Sequence, residues 1–148
     1  MSVGTDGHPV VLDGLPVILF DTAVTYLADT LRECQLVLVD VAQGQEAGSD
    51  LAGLAAGLVP DLEELRDLFR AAAITTDGKT YRVEVPMRTA DAGTLAHLQM
   101  QLVQLRYLGR LGNLLISSDP EITQFLAWIW DEAADQLNGR AGRPYRPL

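Results

Sequence analysis

At 148 residues, with 48% hydrophobic and 21% charged side chains, the chain is long enough for one self-supporting core and too apolar for wholesale disorder. Its formal charge of −9 is unevenly laid out: the last eleven residues carry three arginines and no acid, leaving eight bases against twenty acids, a balance of −12, over residues 1–137. A body this acidic repels phosphate backbones, which argues against nucleic acid as a partner.

The single cysteine, Cys34, excludes an intrachain disulfide and fits a reducing compartment. No uninterrupted apolar run approaches the roughly 18–20 residues of a membrane span. The first twenty residues show neither a basic region nor a long apolar stretch with a cleavage site. The expected location is cytoplasmic, with no membrane partner.

In chain order, residues 1–16 carry Gly4, Gly7, Pro9, Gly14 and Pro16 and read as an extended N-terminal arm, with Val10, Val11 and Leu12 available to dock on the body. Val24, Leu27, Leu31, Cys34, Leu38 and Val41 follow at spacings of three and four, the mark of one helical stripe, with Asp21 or Thr22 as N-cap and Gly44 as stop. Within it, Leu36 to Val41 is β-branched at alternate positions and competes as a strand, but the unbroken periodicity favours helix. Ser49 can cap a short helix over residues 50–58, weakened by Gly53 and Gly57. Pro60 then suits the first turn of a new helix, followed by Asp61, Glu63 and Glu64, with Leu62, Leu65, Leu68 and Phe69 facing inward.

The sequence Thr76-Asp77-Gly78-Lys79 predicts a hairpin turn of type I′, with positive φ at both central residues, inside a hairpin around residues 73–86. Asp91 or Thr89 opens a second long helix with Leu95, Leu98, Leu102, Leu105 and Leu108 on one side, continuing to Leu111 and Leu115. Ser118 and Glu121 have capping-box spacing before a last helix that buries Ile122, Phe125, Ile129, Trp130 and Ala133. The expected fold is mainly α with a minor β part: about five helices, two or three of them long and packed as a bundle, plus the hairpin. The expected division is an arm over 1–16, one helical domain over 17–139 and a flexible basic tail over 140–148.

Chemistry-bearing constellations are sparse. His8 and His97 are the only histidines, and neither sits in a spacing that gathers metal ligands. Cys34 lies within an apolar stripe, where a thiol behaves as a small hydrophobe. The serines fall at the terminus or at helix starts, and Gly109-Arg110-Leu111-Gly112 lacks the Gly-Lys-Ser/Thr of a phosphate loop. No catalytic residue, cofactor site or metal site is assigned. The acids Asp61, Glu64 and Asp67 form, with Glu63, a candidate acidic docking face. Trp128 stands about 200° around the helix from Trp130, so it either meets a partner or lies under the arm or the tail.

The order of helix, short helix, Pro60 turn, helix and an Asp77-Gly78-Lys79 hairpin is similar to that of winged-helix domains over residues 20–87. That resemblance implies a recognition helix at residues 61–70, entering the major groove. In this sequence its first seven residues include four acids, whereas DNA-reading helices present Arg, Lys, Asn or Gln there. Three readings follow. The favoured one is a non-enzymatic protein-interaction or regulatory module, with a protein partner or a homodimer. The alternatives are a winged-helix-like transcriptional regulator and a small-molecule-binding protein or enzyme. The last would use a pocket between the long helices, with Tyr26, His97, Arg106 and Tyr107 as candidates.

Overall fold

The computed structural model describes residues 9–44, 49–88, 91–112 and 119–146. Along the chain run β1 (Val10–Pro16), α1 (Val17–Ala42), α2 (Ser49–Arg70), β2 (Ala73–Thr76), β3 (Thr80–Val85), α3 (Asp91–Gly112) and α4 (Pro120–Leu137). The fold is mainly helical with a small antiparallel sheet, as expected, but among the described residues the helices number four. α1 packs on α2, α2 on α3 and α3 on α4, while α4 returns to α1 and β1.

The sheet order is β1-β3-β2. The segment read as an arm is therefore a strand of the core, with Val10, Leu12 and Leu15 almost wholly buried. Leu12 and Leu15 are three residues apart and would face opposite sides of a regular strand. The register explains their common burial. Leu12 pairs with Val83 but Leu15 with Tyr81, so one extra residue bulges from β1 between them. Gly14, at φ +71°, supplies the left-handed backbone there.

β1 runs directly into α1, which begins at Val17, ahead of the expected caps. Pro16 occupies the N-cap without a side-chain hydrogen bond, and Val17 N–H donates to Lys79 O at 3.1 Å. Thr22 is internal and donates its hydroxyl to Ile18 O. The early start lets Phe20 pack against Phe69 and Tyr81 and turns the buried face. Phe20, Ala23, Thr30, Leu31, Cys34 and Val37 are inside, while Val24 and Val41, expected inside, are 45% and 42% exposed. Residues 36–41 are helical, which resolves the helix–strand competition.

Residues 49–70 form one helix in place of the expected two, with Pro60 inside it. Proline removes one backbone donor, a loss that flanking turns tolerate when both sides are packed. Leu58 and Leu62 on either side are buried at 0% and 3%. Gly57, read as a helix-weakening residue, makes room: a Cβ on it would lie 2.8 Å from Gln101 Nε2 of α3. With no break at Pro60, the separate recognition helix of the winged-helix resemblance is not formed.

The hairpin forms where expected, with Ile74 opposite Val83 and Thr76 opposite Tyr81. The connection is longer than the expected two-residue type I′ turn, since Thr76 opposite Tyr81 leaves residues 77–80 between the paired positions, and Gly78 carries a positive φ of 94°. Asp77 instead acts through its carboxylate, which accepts from Lys79 and Thr80 N–H, both at 2.8 Å. Those two bonds hold its carboxyl below the usual range. α4 is capped by Asp119, which accepts from Glu121 N–H at 2.9 Å. The expected cap Ser118, with Leu115 and Thr89, lies outside the described residues, as does His8. All five residues predicted inside α4 are buried.

Residues 140–146, expected to be flexible, lie against the body. Gln136 donates to Val11 O at 2.7 Å and accepts from Val11 N–H at 2.8 Å, pairing with both as a neighbouring strand would. Its amide also donates to Glu132, a carboxylate only 1% exposed that accepts from Arg143 N–H at 2.9 Å as well. The Arg143 guanidinium stands 3.5 Å from Glu132 and 3.2 Å from Asp135. Tyr145 N–H then donates to Asp13 O, so side chain and tail together cover the outer edge of β1. Tyr145 approaches over Gly14, where a Cβ would stand 3.4 Å from its carbonyl oxygen.

Candidate functional site

Groups with reactive potential in the sequence are separated by the fold. Cys34 is buried on α1, and burial, with Glu33 adding to it, pushes its pKa up to about 11. A thiol so placed stays protonated at neutral pH and is no nucleophile. His97 is exposed on α3, its Nδ1 3.6 Å from an Asp61 oxygen of α2. Among the described residues no group of three His, Cys, Asp or Glu side chains could hold a metal ion, and no helix is long and apolar enough to cross a membrane.

The acidic run on α2 does not converge on one point. Asp61 is partly covered and faces His97, Glu64 is exposed, and Asp67 lies in solvent beside Arg66, which also reaches Glu63 at 3.8 Å. Asp61 and Glu64 border a hollow of about 10 Å³ beside Asp91, room for one water at most. Asp91 itself is occupied by Arg88 N–H at 2.7 Å. Trp128 is half-buried, and the tail is what covers it. The Tyr145 ring stands edge-on to both Trp128 and Phe125, with centroids 5.0 and 5.1 Å away.

Two features remain. The first is the outer face of α3, made of Gly93, Ala96, His97, Met100, Val103, Gln104 and Tyr107, all exposed. Met100, Val103 and Tyr107 are 61%, 52% and 65% exposed, and the face carries no Asp, Glu, Lys or Arg on a chain of net charge −9. Its inner face is also apolar, with Leu95, Leu98, Leu102 and Leu105 buried. A helix apolar on both sides is normally covered on both.

The second is a cleft of about 130 Å³ between α1, α3 and α4. Tyr26 comes from α1, Leu102, Val103 and Arg106 from α3, and Leu126 and Trp130 from α4. Arg106 donates to the Thr123 hydroxyl at 2.7 Å across the two helices. Burial raises the Tyr26 pKa while the Arg106 charge pulls the other way, so the phenol stays neutral at neutral pH. Of the four pocket candidates named from sequence, Tyr26 and Arg106 meet here. His97 and Tyr107 lie on the solvent face of α3. Thr123 was missed because no local pattern links a residue in the first turn of α4 to one seventeen positions earlier. No known family model matches this chain, and no curated protein or solved structure is similar to it.

Proposed function

We propose that the chain is a non-enzymatic protein-interaction module that works through the outer face of α3, and that the partner on that face is a second copy of the chain. The observation that carries this reading is an apolar, charge-free helix face left in solvent on an otherwise strongly negative body. Two such bodies repel wherever their acids meet, so a face without carboxylates is where they approach at least cost.

The pattern of the face also suits self-pairing. Gly93, Ala96, His97, Met100, Val103, Gln104 and Tyr107 mirror one another in position about Met100. In an antiparallel two-fold pair centred on Met100, each Tyr107 falls over the partner copy's Gly93 and each Val103 beside the partner copy's His97. Among the described residues, its own helix backbone aside, nothing lies within 4 Å of where a Gly93 Cβ would sit, so that end of the helix has room for a ring. Six half-exposed side chains at about 1 kcal/mol each supply roughly 6 kcal/mol, which predicts a weak dimer with a dissociation constant of some tens of micromolar.

Light scattering across a dilution series tests this. The expected result is a concentration-dependent dimer that Met100→Glu converts to monomer with its fold intact. A strict monomer at about 1 mM, where such an affinity would give mostly dimer, would overturn the self-pairing.

A further inference from the structure

We propose that the cleft between α1, α3 and α4 is a binding site for a compact apolar monocarboxylate, its acid group paired with Arg106 and its body lying against Leu102, Leu126 and Trp130. This does not depend on the pairing of α3. It rests on the contrast between the lining and the one cation among its described residues. Arg106 is the only described arginine that is not solvent-exposed. Arg32, Arg66, Arg82, Arg140 and Arg143 are exposed and all have carboxylate partners. Among the described residues Arg106 has none. Its one hydrogen bond among them goes to a neutral hydroxyl, Thr123 Oγ1.

A guanidinium presents five N–H groups in a planar fork, and a carboxylate accepts two of them at once. One donor is committed to Thr123, and that bond fixes the fork beside the cleft. The neutral Tyr26 phenol faces the same space and can donate to the second lone pair of an acid. A carboxylate there would replace water on a cation that the fold has already partly dehydrated, which strengthens the pairing.

Size selects the rest of the ligand. An apolar cavity of about 150 Å³ accepts benzene, so about 130 Å³ suits one ring or a short branched chain and excludes long acyl groups. Beside Arg106 and the neutral polar groups of Tyr26, Gln99 and Thr123, the lining is apolar, with Leu102, Leu126 and Trp130 all at least nine-tenths buried. They reward an apolar body and give no partner to a second charge. Dicarboxylates and sugar acids are disfavoured on that ground.

Sodium benzoate is the probe, with benzyl alcohol as its neutral counterpart of similar shape. In ¹⁵N-labelled full-length protein the Trp130 indole signal reports the cleft, and a Trp128→Phe variant assigns it, since the chain has two tryptophans. Benzoate is expected to shift that signal saturably below about 10 mM. Benzyl alcohol on the natural chain, and benzoate on Arg106→Met, are each expected to bind about tenfold or more weakly, the loss of a charge-assisted pair. The proposal is overturned if the Trp130 signal does not saturate with benzoate. It is overturned equally if benzyl alcohol binds as well as benzoate, or if Arg106→Met binds benzoate unchanged. The comparison of the two probes on the natural chain decides the matter even where Arg106→Met does not fold.

Discussion

Trp128 on α4 and Tyr107 on α3 pose the same problem, an aromatic ring projecting from the outer side of a helix, and the chain treats them differently. Trp128 lies under Tyr145 of the tail, in a corner where Gln136 pairs with Val11 on the edge of β1 and Glu132 accepts from both Gln136 and Arg143. Tyr107 is 65% exposed, on a helix face with no charged residue. The comparison teaches that the segment after α4 can cover one apolar face while a similar face on α3 stays exposed among the described residues. It also shows why burial cannot be assigned helix by helix, since the cover for α4 comes from residues that themselves form no helix or strand.

The sharpest way to break the covered corner is to remove the tail. Ending the chain after Asn138 takes away the Arg143 backbone N–H and guanidinium from the buried Glu132 carboxylate and leaves it the Gln136 amide. Arg143 is itself 70% exposed, so the cost is that of a buried acceptor losing part of its donors, about 1–3 kcal/mol. Urea denaturation should show a loss of that order, with Trp128 emission moving toward that of a solvated indole. An unchanged midpoint would mean that the tail adds nothing to α4.

A subtler break acts on the approach of the tail. Gly14→Ala places a side chain in a left-handed backbone at φ +71°, directly under Tyr145. The backbone strain alone costs about 1–2 kcal/mol, and the same denaturation experiment reads it. Leu15 would be affected with it, because the bulge is what turns Leu15 inward.

The uncovered face should respond in the opposite way. Met100→Glu and Tyr107→Glu are expected to leave the stability of the isolated chain within about 0.5 kcal/mol, as surface changes do, while weakening self-association in light scattering. A large loss of stability would show that the face already packs on something within the chain.

The smallest expected effect concerns Cys34. Its folded-state pKa of about 11 lies above the ordinary 9.0, so burial as a neutral thiol adds stability that is complete below pH 9 and declines as pH rises through about 11. Denaturation midpoints between pH 8 and 11 should slope downward in the natural chain and less so in Cys34→Ala. At pH 8 the native thiol should react with alkylating reagents far more slowly than the unfolded one.

Much of this architecture was legible locally. The periodicity of α1, α3 and α4, the place of the hairpin at Asp77-Gly78 and the inward face of α4 are properties of short windows, and a helix or the site of a reversal is specified within such windows. Tyr26 and Arg106 were also visible as polar-tipped residues beside apolar stripes. What local patterns misjudged were the places where distant chain overrides them. Pro60 reads as a helix start, yet packing of Leu58 and Leu62 carries the helix through it. Val10, Leu12 and Leu15 read as an arm because a bulged strand lacks regular alternation, and only pairing with β3 reveals the extra residue.

The amino-acid sequence by itself determined an acidic, mainly helical body with one hairpin, because composition and periodicity act over a few residues at a time. Tertiary structure alone decided that β1 joins the sheet, that the tail covers Trp128, and that Tyr26, Arg106 and Thr123 border one cleft. Each of those outcomes joins residues far apart in the chain, and the free energy of such contacts depends on what the rest of the fold brings within reach.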